Sequence, residues 1–312
     1  MLAADAAATM TTATRRKLRV TVLAGGPSAE RDVSLASGQA VAEALRQRGH
    51  DVFLADVGPD NLAALDHPAD VVFPALHGTF GEDGTIQRIM EERGIRFVGS
   101  GSKASALAMD KVSTKRIAID LGIPTPPYQV VAASERPTLS LPIIIKPVAE
   151  GSSVGTIIVR QAEKLLPAIA SVTGKYGRAL VEEFVAGDEL TVGILAAQTL
   201  PPIRIRPRRD FYDYEAKYRD DRTEYLFETG HSSALLERAS TLSKRIFDAL
   251  GCRHLARVDW IAGPHEQLWL LEVNTIPGFT SHSLVPKAAA RTGIAFDELV
   301  ERLVTMAMEE SA

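Results

Sequence analysis

Between residues 18 and 101 the chain alternates strand-like and helix-like runs, and that alternation limits the folds open to it. "LRVTVLAGG" (18–26) is an apolar run ending in a glycine turn, "SLASGQAVAEALRQRGH" (34–50) has a helical period, and "DVFLADV" (51–57) reads as a second strand. "ADVVFPALHG" (69–78) is a third, buried strand, followed by the helix "GTIQRIMEERG" (84–94) and by "RFVGSG" (96–101). Strands separated by helices cannot close as hairpins. They form a parallel sheet covered by helices on both faces.

After residue 101 the pattern changes to an antiparallel α+β one. "SALAMDKVSTKRIAIDLG" (105–122) reads as one helix. Strands are expected near 127–131, 141–147, 154–160 and 179–185, with a helix near 161–172. From about 188, "ELTVGILAA" opens a third region with strands, a polar segment at 207–224, a helix near 233–250 and a hairpin around 255–275. The helix "AFDELVERLVTMAMEE" (295–310) ends the chain. Three domains follow: 18–101, 102–187 and 188–312.

Ahead of them, "MLAADAAATMTTATRRK" (1–17) ends in three cations, the reverse of the charge order in a secretory signal. It reads as a disordered tail in which Met10 offers an alternative start. A net charge of −4 argues against a nucleic-acid partner or a basic membrane-binding surface. No apolar run approaches the ~18 residues of a membrane span. Cys252 stands alone, which excludes an intrachain disulfide and a C-x-x-C metal site and fits the cytoplasm.

Several clusters carry chemistry. In "LARVDWI" and "QLWLLEVN" one face of the hairpin holds Val258, Trp260, Trp269, Leu271 and Val273, and the other Arg257, Asp259, Glu272 and Asn274. A four-residue turn, 263–266, would set Arg257 opposite Glu272 and Asp259 opposite Leu270. Two carboxylates crowded on a sheet need a cation between them. A surface ion pair of Arg257 with one acid meets that need, and so does a Mg²⁺ site with oxygen ligands completed by phosphate and water.

"PIIIKPVAEGSSVGTIIV" (142–159) ends an apolar strand in Lys146 and crosses a Gly/Ser loop able to cradle phosphate or simply to turn a hairpin. No Walker A sequence occurs, and "LAGGPSAERDVSLASG" lacks the dinucleotide fingerprint. Glu30 lies at the strand–turn–helix tip where open α/β sheets bind ligands, or is a solvated loop acid. His77 reads first as a structural histidine. "RRDFYDYEAKYRDDRTEY" is either a solvated loop or a lid over a site.

The order of these pieces is more telling than any one. "GGPSAERDVSLASG", "ALHGTFGEDGTIQ", "GSGSKASALAMDK", "IIIKPVAEGSSVG", "VEEFVAGDEL", "FYDYEAKY", "ARVDW" and "LLEVNTIPGFTSHSLVPKAA" resemble the D-alanine–D-alanine ligases of the ATP-grasp superfamily, over residues 18–310. The resemblance implies the three-domain ATP-grasp fold, α/β and α+β, with an N-terminal Rossmann-like parallel-sheet domain. It implies that ATP phosphorylates one D-alanine and that the amine of a second attacks the acyl phosphate.

It also implies roles. Glu30 and His77 would receive the first D-alanine, and Ser283 and Leu284 the second. Lys111, Lys146, Ser152, Ser153, Glu182, Glu183, Phe184, Val185, Glu189 and Lys217 would bind ATP. Asp259, Glu272 and Asn274 would hold two Mg²⁺ or Mn²⁺, with a monovalent cation a further candidate. Arg257 and the Gly278 amide would stabilise the oxyanion, while Ser152 and Tyr218 would link a lid at about 206–226 to Glu30. A homodimer is expected on the same ground.

One departure stands in "EYLFETG" (224–230), where the family carries a Cys-Pro-Ala-like stretch that supports the lid's return. D-lactate or D-serine as second substrate, a non-catalytic ATP-binding protein and a nicotinamide oxidoreductase are the competing readings. "EAKY" in the lid favours D-alanine, the intact Arg257, Asp259, Glu272 and Asn274 favour catalysis, and the missing glycines weigh against the oxidoreductase.

Overall fold

The structure is a computed structural model that describes residues 16–196, 198–207 and 223–310. Most of the tail, most of the lid expectation at 206–226, and Lys217 and Tyr218 with it, lie outside the described residues.

The N-terminal alternation folds as read. β1 (Arg19–Gly25), α1 (Arg31–Gln47), β2 (Asp51–Val57), β3 (Val71–Pro74) and α2 (Thr85–Glu92) follow in order. β1 pairs in parallel with β2 on one side and β3 on the other. Val20, Val22 and Phe73 are all but inaccessible, as a sheet covered on both faces requires.

The single helix expected over 105–122 is two. α3 (Ser102–Met109) and α4 (Lys111–Asp120) break at Asp110, whose backbone is extended and whose Oδ1 accepts the Ser113 N–H at 2.8 Å. An aspartate at a helix start satisfies an orphan donor, so the N-cap outcompetes helical continuity. The break makes Lys111 the first residue of a new helix.

β4 (Tyr128–Ala132), β5 (Ile143–Pro147), β6 (Ile157–Val159) and, after α5 (Leu165–Tyr176), β7 (Arg178–Glu183) build an antiparallel sheet in the order β4-β7-β5-β6. Ile143, Ile145 and Val181 bury their side chains against Ile169 of α5. Each such burial contributes roughly 1.5–3 kcal/mol.

The last sheet contains β8 (Asp188–Leu195), β9 (Gln198–Thr199), β10 (Ile203–Arg206), β11 (Glu224–Leu226) and, beyond α6 (Ser233–Leu250), β12 (Leu255–Ala262) and β13 (Leu268–Asn274). Its order is β11-β10-β8-β12-β13, with β9 beside β8. The departing segment "EYLFETG" thus begins as a strand that pairs with β10. Then come α7 (Leu284–Arg291), which the periodicity did not reveal, and α8 (Phe296–Glu309). One core joins Val22 and Leu45 to Leu299 and Leu303, so the first sheet packs on α8. A cleft forms where the three sheets meet.

Candidate functional site

The β12–β13 hairpin differs from the sequence reading in one decisive way. Arg257 lies opposite Asn274, not Glu272, and Asp259 opposite Glu272, not Leu270. The turn takes five residues rather than four, and the register shifts by one residue between Asp259 and Trp260. The bulge puts an extra residue into β13, so alternation is interrupted. Leu268, Leu270 and Val273 face the core with Trp260, while Leu271, Glu272 and Asn274 all line the cleft. Trp269 and Leu271 therefore leave the apolar face assigned to them from strict alternation. The two acids become direct neighbours across the ladder.

Each acid meets a cation. Arg257 donates from Nε to Asp259 Oδ1 at 3.0 Å and from Nη2 to Oδ2 at 2.8 Å, and the Thr191 hydroxyl donates to Oδ1 at 2.6 Å. Lys111 Nζ lies 3.3 Å from Glu272 Oε2 and donates to the Glu150 carbonyl at 2.5 Å. Among the described residues no group of three or more His, Cys, Asp and Glu side chains is placed to hold a metal. The donor set here is instead two carboxylates with one carboxamide, all oxygen donors on an open cleft wall. That set suits a hard divalent cation completed by other oxygens.

The antiparallel sheet supplies the floor. Glu182 on β7 is 1% exposed and lies between Lys146 Nζ at 2.6 Å and Lys115 Nζ at 2.7 Å. Burial alone would raise the Glu182 carboxyl; the fields of Lys146 and Lys115 reverse that and leave it below the ordinary range. Burial pulls Lys115 down to about 8 despite the attraction of Glu182. With Lys111 alongside, three lysines gather at this end of the cleft, a grouping that suits a polyanion.

The opposite end belongs to the first sheet. Glu30 immediately precedes α1 without capping it by its side chain, is 6% exposed, and accepts a hydrogen bond from the Ser152 hydroxyl in the Gly/Ser loop. A Cβ on Gly151 would sit 2.6 Å from Glu30 Oε2, so a side chain there would displace the Glu30 carboxylate. Ser152 and Ser153 both hold positive φ, at 50° and 58°, an unusual backbone for residues with side chains.

His77 sits behind the cleft wall. Its Nδ1 donates to the Ile276 carbonyl at 3.0 Å, Nε2 meets the Ser37 hydroxyl at 3.2 Å, and Ser37 Oγ accepts the Phe279 N–H at 3.1 Å. Burial lowers the His77 pKa, Glu30 opposing it, so the ring is neutral. Beside it, burial and the charge of Glu30 push Glu82 up to about 8, and its Oε2 accepts the Gly78 N–H at 2.7 Å.

The cleft, about 730 Å³, brings together most of the residues expected from the sequence: Glu30, Lys111, Lys146, Ser152, Ser153, Glu182, Glu189, Arg257, Asp259, Glu272, Asn274, Gly278, Ser283 and Leu284. Glu183, Phe184 and Val185 run on from Glu182, and their side chains are not among those lining it; Phe184 instead lies under Arg160, 5.0 Å from its ring. Sequence reasoning missed Lys115, Glu82, Thr191 and Ser37. Only Lys115 left a signal, falling one helical turn after Lys111.

A fold of one parallel and two antiparallel sheets, meeting at a cleft with lysines on one wall and paired carboxylates on another, is that of the ATP-grasp class. Sequence profiles described as "D-ala D-ala ligase C-terminus" and "D-ala D-ala ligase N-terminus" match residues 117–305 and 54–100. The D-alanine--D-alanine ligase of Syntrophotalea carbinolica is 43% identical over 290 residues, covering 92% of this chain and 95% of that one. Among solved structures, the Bacillus anthracis D-alanine--D-alanine ligase complexed with ATP superposes with a TM-score of 0.79 at 28% identity, covering 93% of this chain and 97% of that one. The VanG D-Ala:D-Ser ligase from Enterococcus faecalis gives a TM-score of 0.82 at 27% identity, over 94% and 100%. The chain belongs to the D-alanine–D-alanine ligase family. Among the described residues no helix is long and apolar enough to cross a membrane.

Proposed function

We infer that this chain joins two D-alanines into D-alanyl-D-alanine, converting ATP to ADP and phosphate, for peptidoglycan precursors. The observation that carries the reading is the opposed pair Asp259 and Glu272, set by the bulge in the same cleft as Lys111, Lys146 and Glu182.

The chemistry has two steps. A carboxylate oxygen of the first D-alanine takes the γ-phosphoryl group of ATP, and ADP leaves. The free amine of the second D-alanine then attacks the acyl carbon, the carbon–oxygen bond to phosphate breaks, and a proton leaves the nitrogen. Glu30 is suited to hold the first ammonium, because it is buried at a helix start beside the Ser152 hydroxyl. Lys111 and Lys146 offset phosphate charge, and the Ser152–Ser153 loop presents backbone N–H groups to it. Glu182 accepts from the adenine amine and Glu189 from the ribose.

Two Mg²⁺ or Mn²⁺, held by Asp259, Glu272 and Asn274, would supply charge neutralisation to the triphosphate. Arg257 and the Gly278 N–H donate to the oxygen that becomes negative when the acyl carbon turns tetrahedral. Ser283 and the Leu284 N–H take the carboxylate of the second D-alanine. The same reading carries a homodimer acting in the cytoplasm.

Phosphate release with ATP and D-alanine, with the dipeptide identified by mass, tests the assignment. D-lactate and D-serine are supplied in parallel as second substrates. Phosphate release that needs D-alanine and yields D-alanyl-D-alanine is expected. ATP turnover without the dipeptide, or a preference for D-lactate or D-serine, would overturn it.

A further inference from the structure

Lys115 has no part in the chemistry above, yet among the described residues it is the largest charged side chain that is fully buried. It is 0% exposed, on the inward face of α4 one turn beyond Lys111. Its Nζ donates to Thr125 Oγ1 at 2.5 Å and to the Pro126 carbonyl at 3.3 Å, and the Tyr128 ring centroid lies 5.3 Å away. The Thr125 hydroxyl in turn donates to the Leu270 carbonyl at 2.9 Å, which ties the seat to β13.

A buried ammonium is costly unless paired, and its partner is Glu182. Lys115 Nζ lies 2.7 Å from Glu182 Oε1, and Lys146 Nζ 2.6 Å from Oε2, so each oxygen of the carboxylate is held by its own cation. Glu182 lines the cleft. A carboxylate has about four lone-pair sites, so one fixed by two cations at a cleft wall still has capacity for a donor from a ligand.

We propose that Lys115 is a positioning residue. It fixes the Glu182 carboxylate so that the cleft selects a purine triphosphate bearing an exocyclic amine. The proposal rests on the reading of Glu182 as the acceptor for that amine. Lys146, the second cation on Glu182, stays available to the nucleotide because Lys115 carries the buried half of the ion pair.

Three variants test this: Lys115→Met, Lys115→Arg and Thr125→Val, each assayed with ATP and with the 6-unsubstituted purine riboside triphosphate. Lys115→Met is expected to lower the kcat/KM preference for ATP by about tenfold to a hundredfold, the worth of a hydrogen bond to a charged group. Most of the loss should appear in KM. Lys115→Arg keeps the charge and should restore part of the preference; Thr125→Val should lose a smaller part.

An unchanged preference in folded Lys115→Met overturns the proposal. If that variant does not fold, an unchanged preference in Thr125→Val does the same. Glu182→Met, which removes both acceptor oxygens, separates the two levels. If it keeps the wild-type preference, the reading of Glu182 fails and the proposal with it. If Glu182→Met loses the preference while Lys115→Met retains it, only the positioning role fails.

Discussion

Glu272 faces Asp259 across the hairpin, and two carboxylates that close repel each other unless cations lie with them. In the protein alone Arg257 and Lys111 serve that purpose. Glu272→Gln keeps the shape and removes one charge. Turnover of ATP should fall by about two orders of magnitude or more, the scale of losing a main electrostatic element of a site. Circular dichroism and the melting temperature should stay near the wild-type values, and near-normal turnover would sink the assignment.

Glu82 permits a sharper test, of stability. Its folded pKa, about 8, stands above the ordinary 4.5, chiefly through burial. Between those values the unfolded chain gives up a proton that the folded one keeps. Stability therefore falls as pH rises through that window, by up to roughly 1.4 kcal/mol per pH unit. Glu82→Gln removes this dependence while keeping an oxygen for the Gly78 N–H. Melting from pH 5 to 8.5, without ligands, should show the wild type losing stability relative to the variant. Parallel curves would mean that Glu82 is ionised in the fold.

At the scale of the element, two irregularities aim the site. The β13 bulge turns Leu271 and Glu272 towards the cleft together. The break at Asp110 starts a second helix at Lys111, whose side chain reaches both the Glu150 carbonyl and Glu272. Asp110→Ala removes the cap on the Ser113 N–H and should cost about 1 kcal/mol of stability. Because Lys111 begins that helix, KM for ATP should rise while kcat changes less. Denaturant unfolding and steady-state kinetics measure both; an unchanged KM would show that Lys111 is held from elsewhere.

Across the whole molecule, the cleft depends on segments far apart in the chain. Ser37 on α1 and His77 after β3 grip the Ile276 carbonyl and the Phe279 N–H, the two flanks of Gly278. The N-terminal elements therefore orient the loop whose Gly278 amide is proposed as an oxyanion donor. Ser37 is 0% exposed, and Ser37→Ala strands a buried N–H and one imidazole nitrogen. The expected cost is about 1–3 kcal/mol, read as a lower melting temperature. A fall in kcat with little change in KM for ATP should accompany it. A stability loss with kcat intact would confine the clamp to folding.

The sequence by itself determined the alternating α/β start, the change to antiparallel pattern and the cluster Arg257, Asp259, Glu272 and Asn274. These follow from local periodicity and from residue types that seldom share a strand face without a reason. The pairing of Asp259 with Glu272 was not legible, because a bulge depends on how β13 packs under β12, not on either strand's own pattern. Nor was the break at Asp110, where one capping hydrogen bond outweighs a helical run. The Lys115–Glu182 pair, the Ser37–His77 clamp and the raised pKa of Glu82 needed the tertiary structure. Burial and long-range contact set the worth of a charge, and neither is a property of the residues taken in order.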